Sequence, residues 1–236
     1  REAAQAADWL VAQQAVGAKA EHFMVLARKR SRLRAMHEAL RERGIASEAP
    51  GETDLCEWPA VQDLVALLDV LVSPRHHLSL ARALKSPLLG WGDADLAALA
   101  TAVRAAERQH TAQKTAEDQT LAPGWWDLLQ AAPPNTADVS LADRWRTTAQ
   151  TLTTWQGWVR SLPPHDALSA IYHAADVPAR FAAAVPPSEA PATLAALRDL
   201  LALSLSQDGG RFLTPYRFVR TLKAGGIPAS DAHQPG

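Results

Sequence analysis

Alanine and leucine dominate this chain and β-branched residues are scarce, so helix is the favoured conformation for most of it. One stretch departs from that bias. The run FMVLA at 23–27 is short and apolar, and it reads as a buried strand. It stops abruptly on Arg28-Lys29-Arg30. From 28 to 43, the cations Arg28, Lys29, Arg30, Arg32, Arg34, Arg41 and Arg43 stand against Glu38 and Glu42 alone. A strand that ends on cations calls for an anion, because ligands of open α/β sheets gather at the carboxyl ends of strands. Arginine suits phosphate through its planar, permanently charged fork. A solvated helix face carrying scattered arginines has the same composition, and the residues alone leave both readings open.

The rest of the chain punctuates itself with proline and glycine. Residues 2–16 carry Ala3, Ala6, Ala7, Leu10, Val11 and Gln14 at helical spacing, and Gly17 reads as a C-cap. Leu33, Met36, Ala39 and Leu40 make an apolar stripe on a helix over 31–43, which Gly44 stops. Ile45–Ala49 reads as a second short strand before Pro50-Gly51. Apolar periodicity then predicts helices at 61–72, 78–85, 94–106, 141–159, 166–175, 192–205 and 215–223. Residues 107–120 are polar and read as a mobile connection or a frayed helix end. Trp145, Trp155 and Trp158 share helical spacing, which favours core packing over base stacking. The expected fold is mainly α, with a strand–helix–strand margin at 1–50, a helical body at 51–226 and an exit segment at 227–236. There is no internal repeat. The chain begins without methionine and stops at Gln234-Pro235-Gly236, which is expected of a piece of a longer protein.

Composition excludes several classes. The formal net charge is −1, so anion binding must come from local patches. Cys56 is the one cysteine, which rules out an internal disulfide framework and fits a reducing, cytoplasmic compartment. Its expected role is that of a small apolar side chain. No apolar run approaches the roughly 20 residues that span a bilayer, so no membrane association is expected. There is no G-x-x-x-x-G-K-[ST] loop, no G-x-G-x-x-G after the strand and no G-x-S-x-G elbow. His76 and His77 are adjacent, and adjacent residues of a helix point apart, so no metal site is expected there. A self-contained active site is not expected.

The segment "VLARKRSRLRAMHEAL" resembles motif IV of superfamily 1 DNA helicases of the UvrD, RecB and AddA type, including the exodeoxyribonuclease V beta subunit. Arg28 falls on the family arginine that touches the γ-phosphate of ATP. Arg34, Glu38 and Leu40 fall on later motif positions, while Ala27 replaces the usual adenine-stacking tyrosine. The segment "LCEWPAVQDLVALLDVLVSPRHHLSLARALKSPLLGWGDADLAAL" continues the resemblance. Asp63 keeps an acidic position and Ala60 replaces a glutamate; Pro74, Leu78, Leu80, Pro87, Gly90 and Gly92 stand where the family has them. The match runs over 23–99, is loose over 100–190, and is taken up again by "LRDLLALSLSQDGGRFLTPYRFVRTLKAGG".

The resemblance implies that 1–50 is part of a RecA-like motor domain, that 51–226 is the inserted 2B-like helical subdomain, and that 227–236 leads towards motif V. It implies a parent that is an ATP-dependent DNA helicase, the helicase-nuclease subunit of double-strand break repair and recombination. ATP with Mg2+ would bind the parent, with Arg28 in a catalytic and ATP-binding role, and this piece alone would hold no cofactor and turn over no ATP. Lys85, Ser86, Gly90, Trp91 and Gly92 are the expected DNA-binding residues, contacting the backbone of duplex with a single-strand tail without sequence preference. Glycines that merely serve a tight turn, with Trp91 in the core, are the competing reading. A nuclease or helicase partner subunit is the other expected partner, and a docking module without DNA contact is the alternative function.

Overall fold

The computed structural model describes residues 2–45, 47, 54–113, 120–131, 133, 138–207, 214–227 and 229. It divides into two compact units, Arg1–Asp54 with Pro228–Gly236, and Leu55–Ile227.

The first unit is built on two helices, α1 (Glu2–Ala15) and α2 (Arg30–Arg41). Ala7 and Leu10 of α1 bury against Met36, Ala39 and Leu40 of α2, with Ala3, Phe23 and Ile45 packed around them. Both helices end on glycine. Gly17 has φ +98° and Gly44 φ +69°, conformations that cost an L side chain strain. The amide after each glycine reaches back five residues, Ala18 to the Gln13 carbonyl and Ile45 to the Leu40 carbonyl, which closes a Schellman motif. Trp9 meets Phe23 edge to face, with ring centroids 5.7 Å apart.

The expected strand at 23–27 is not a strand. Phe23 has extended backbone angles (φ −114°, ψ 138°), but residues 23–27 carry no regular structure. Met24 is 84% and Leu26 85% exposed, so the run is not buried either. A strand is held by a ladder to a neighbour, and no strand exists among the described residues. Ile45 and Ser47, the described members of the second expected strand, are likewise irregular; Ala46, Glu48 and Ala49 lie outside the described residues.

The second unit is helical. Its elements are α3 (Pro59–Val72), α4 (His77–Lys85), α5 (Asp93–Gln113), α6 (Trp125–Gln130), α7 (Val139–Ser161), α8 (Pro164–Ala174), α9 (Val177–Ala183), α10 (Ala190–Ser206) and α11 (Pro215–Ala224). Helix α3 is apolar almost all round and therefore sits at the centre. Val61, Leu64, Leu67, Val70 and Leu71 are 0–1% exposed, and α4, α7, α10 and α11 pack about this helix. Proline sets several helix starts at the first-turn positions of α3, α8, α9, α10 and α11. Two helices, α6 and α9, were not expected; each is shorter than the periodicity window that finds a helix. Helix α5 runs to Gln113, beyond the expected end at 106, because Glu107–Gln113 is polar but made largely of good helix formers. The two crossings between units meet within the second one: the Leu55 amide donates to the Ile227 carbonyl at 2.7 Å.

Candidate functional site

Arg28 lies in the bend that precedes α2. It is exposed and makes no hydrogen bond or ion pair with the described residues. Its neighbours explain why it stands apart. The first turn of α2 contains no acid, and Lys29 at the N-cap offers no side-chain cap. The positive pole of the helix therefore points at a cluster of cations, an arrangement that disfavours the helix unless an anion joins it. Two cations further along, Arg32 in α2 and Arg43 just after it, are committed. Arg43 donates to Asp8 Oδ1 at 2.7 Å and to the Ala39 carbonyl at 2.8 Å, and Arg32 pairs with Glu2 at 3.1 Å. The hydrogen bond to Asp8 holds the Arg43 guanidinium above its ordinary pKa. Part of the basic helix thus serves as mortar between α1 and α2, while Arg28 and Lys29 remain open to solvent.

The turn between α4 and α5 is drawn inward. Ser86 is 3% exposed and donates to the Ala83 carbonyl at 2.6 Å. Trp91 is also 3% exposed; its Nε1 donates to Thr148 Oγ1 at 2.9 Å and its ring lies 5.7 Å from that of Trp145. The Gly90 amide donates to the Ser86 carbonyl, the Trp91 amide to the Leu84 carbonyl, and the Gly92 amide to Asp95 Oδ2. Asp95 in turn pairs with Arg144 of α7, and Arg180 of α9 donates to the Leu88 carbonyl at 3.0 Å. Gly90 needs its glycine for φ +64°. Lys85 Nζ reaches Asp93 Oδ1 at 2.6 Å across the surface, which holds the Asp93 carboxyl below its usual range. The side chains of Ser86 and Trp91 are therefore turned away from solvent. What the turn presents outward is Lys85 paired with Asp93 and the backbone of Gly90 and Gly92, with Arg180 of α9 beside it.

A third cluster was not legible in the sequence. Asp69 lies in the central helix α3 and is 4% exposed. Its Oδ2 accepts from His76 Nδ1 at 2.9 Å, Ser79 Oγ at 2.5 Å and Lys223 Nζ at 2.9 Å. Burial alone would raise its pKa, but the hydrogen bonds from Ser79, Lys223 and His76 outweigh it, and the carboxyl is held below its ordinary value. A serine, a histidine and an aspartate stand together here without forming a triad, because Ser79 donates to the carboxylate and not to the imidazole. One sequence signal could have found it: an acid flanked by apolar residues in a helix needs partners.

Among the described residues no group of three or more His, Cys, Asp and Glu side chains is placed to hold a metal ion, and no helix is long and apolar enough to cross a membrane. Trp145 and Trp155 are core residues, 0% and 4% exposed, and Trp158 is half-buried.

Comparison with known proteins gives one match and one blank. No curated protein matches the chain. The family model of the UvrD-like helicase C-terminal domain matches residues 1–119, a span that includes both Arg28 and the Lys85–Gly92 turn. Because that span is just over half of the chain, this protein belongs to the UvrD-like helicase C-terminal domain family.

Proposed function

We propose that the chain works as part of an ATP-dependent DNA helicase of the RecB and AddA type, in double-strand break repair. The observation that supports the helicase part of this reading is the family match across residues 1–119; the RecB and AddA type rests on the resemblance of residues 23–99. In it, residues 23–27 pair as an edge strand of a RecA-like sheet whose other strands lie elsewhere in the longer protein. The open, extended Phe23 and the exposed Met24 and Leu26 support that assignment.

Arg28 is then the cation that meets the γ-phosphate. Its solvent exposure, its lack of a partner among the described residues and the uncapped pole of α2 behind it all fit an anion. When bound, ATP with Mg2+ supplies the phosphoanhydride whose cleavage drives movement. The part of Arg28 is to orient the terminal phosphoryl group and balance the charge that builds on it, a contact worth about 10³ to 10⁵ in rate in related hydrolases. The helical body meets the backbone of a tailed duplex at the Lys85–Gly92 turn, with Lys85 as the cation, since the amides of Gly90, Trp91 and Gly92 are committed within the protein. That contact carries no sequence information.

The test is Arg28→Ala in the full-length protein. Turnover of ATP is expected to fall by about 10³ or more, with folding of the chain unchanged, since Arg28 is exposed. Unchanged turnover would overturn the reading. A second reading, a docking module for a partner subunit, is favoured by exposed Leu78, Val139 and Leu205, at 86%, 70% and 58%. Absence of any salt-dependent affinity of the chain for tailed duplex would decide for it.

A further inference from the structure

Helix α4 ends on Lys85 and helix α5 begins on Asp93. The turn between them is closed by its own backbone, with the Trp91 amide on the Leu84 carbonyl at 2.9 Å and the Gly90 amide on the Ser86 carbonyl at 2.8 Å. That closure sets the end of one helix beside the start of the next, and Lys85 Nζ meets Asp93 Oδ1 at 2.6 Å. Both side chains are exposed, Lys85 to 53% and Asp93 to 87%, so the pair stands in water on the outside of the turn. The other acid in the first turn of α5 is occupied elsewhere: Asp95 accepts the Gly92 amide and pairs with Arg144. The lysine assigned above to a backbone phosphate therefore already holds an anion of its own chain. Exposed ion pairs are weak, a factor of about 1.4 to 5 in equilibrium. A phosphate can displace Asp93, but the exchange trades one anion for another.

We propose that Asp93 is a built-in competitor for Lys85: it occupies the ammonium group when no duplex is present and keeps the turn's hold on each phosphate weak. This rests on the duplex contact proposed above and concerns its strength, not its existence. Lys85 gains a phosphate only by leaving Asp93, and the carboxylate left behind repels that phosphate at close range. The affinity is then a fraction of what Lys85 alone would give. A weak hold suits a contact without sequence preference, since a body that travels along a duplex must release each phosphate as readily as it takes it. Lysine suits the exchange better than arginine, because a point charge on a flexible stem swings between two anions while a planar fork fixes one. Asp93 also lies at the positive end of α5, which favours a carboxylate there for the helix's own sake. Binding, and not stability, therefore separates competition from capping.

The experiment is fluorescence anisotropy of the whole chain with a labelled tailed duplex over a series of salt concentrations. Asp93→Asn is expected to bind about threefold to fivefold more tightly, the strength of the released pair. Its slope of log K against log salt should steepen by up to about 0.9, one duplex phosphate. Lys85→Ala should bind more weakly than wild type. In Lys85→Ala/Asp93→Asn the gain from the second change should fall below about twofold, because the competitor acts through the lysine. Asp166→Asn, at an exposed acid in the first turn of α8, reads the effect of one negative charge fewer and should leave the affinity within about 1.5-fold of wild type. Circular dichroism and thermal unfolding check that every variant keeps its fold. Wild-type affinity in Asp93→Asn, with Lys85→Ala still weakened, overturns the proposal and leaves the duplex contact standing. An equal gain with and without Lys85, or an equal gain in Asp166→Asn, also overturns it, because the effect is then one of bulk charge. Absence of binding in wild type and Asp93→Asn alike, or an affinity that Lys85→Ala does not change, removes the duplex contact itself and the competition with it.

Discussion

Lys223 Nζ lies 2.9 Å from Asp69 Oδ2, which ties the last helix of the second unit to its central one across 154 residues of sequence. Asp69 also receives His76 and Ser79, so a single carboxylate joins α3, α4 and α11.

Replacing Asp69 by asparagine should therefore be costly. Hydrogen bonds to a charged group contribute about 1.5–3 kcal/mol, and Lys223 would lose its counter-charge. Asp69→Asn is expected to lower the unfolding free energy by about 2–3 kcal/mol at pH 7, measured by urea titration. The pH dependence has a definite sign. The folded pKa lies below the unfolded value of about 3.9, so the carboxylate stabilises the fold above that value and ceases to as pH falls through the lower folded one. The gap between wild type and Asp69→Asn should narrow below about pH 4.

Asp63 makes the opposite case on the same helix. It pairs with Arg82 at 2.7 Å, yet burial, opposed by that pair, raises its pKa. A raised carboxyl pKa means that the fold favours the protonated form, so at neutral pH the charge is a net cost. Asp63→Asn is expected to be neutral to slightly stabilising, within about 1 kcal/mol. A loss above about 2 kcal/mol in the same urea titration would show that the Arg82 pair outweighs desolvation.

Trp91 and Thr148 form a buried pair whose hydrogen bond has no water to replace it. Thr148→Val removes the acceptor at nearly constant volume and leaves the indole N–H unsatisfied. The expected loss is about 1–3 kcal/mol. Thr148→Ser, which keeps the hydroxyl, should recover most of it. Thermal and chemical unfolding of the three proteins give the comparison.

The two glycines of the same turn are not equivalent. Gly90 has φ +64° with open space around an added methyl, so Gly90→Ala costs backbone strain alone, about 1–2 kcal/mol. An added methyl at Gly92 meets Asp95 Oδ2 at 3.7 Å, an ordinary contact, and no positive φ is required there. Gly92→Ala should lie within about 0.5 kcal/mol of wild type. Any loss of duplex affinity in Gly92→Ala then reports on the contact itself and not on the fold.

Helices were legible wherever apolar spacing ran for three turns or more. The caps at Gly17 and Gly44 were readable for the same reason, since only glycine holds that backbone cheaply. The apolar run over 23–27 satisfies the local pattern of a strand, but a strand is a relation between two segments, and no partner strand lies among the described residues. Arg28 could be singled out from its position beside that run, but the commitment of Arg43 to Asp8 could not. That pairing depends on how α1 folds back on α2. Trp91 in the core was one of two readings the sequence left open, and the partner that decides it, Thr148, lies far along the chain; the inward turn of Ser86 was hidden. Asp69 was visible only as an oddity in an apolar helix; its three partners come from residues 76, 79 and 223.

The bond from the Leu55 amide to the Ile227 carbonyl has a consequence for how such a body is acquired and lost. Its two ends leave from one spot, like a handle fixed by a single bracket. A whole helical cassette can therefore be lengthened, trimmed or replaced by a linker of a few residues while the flanking chain keeps its course.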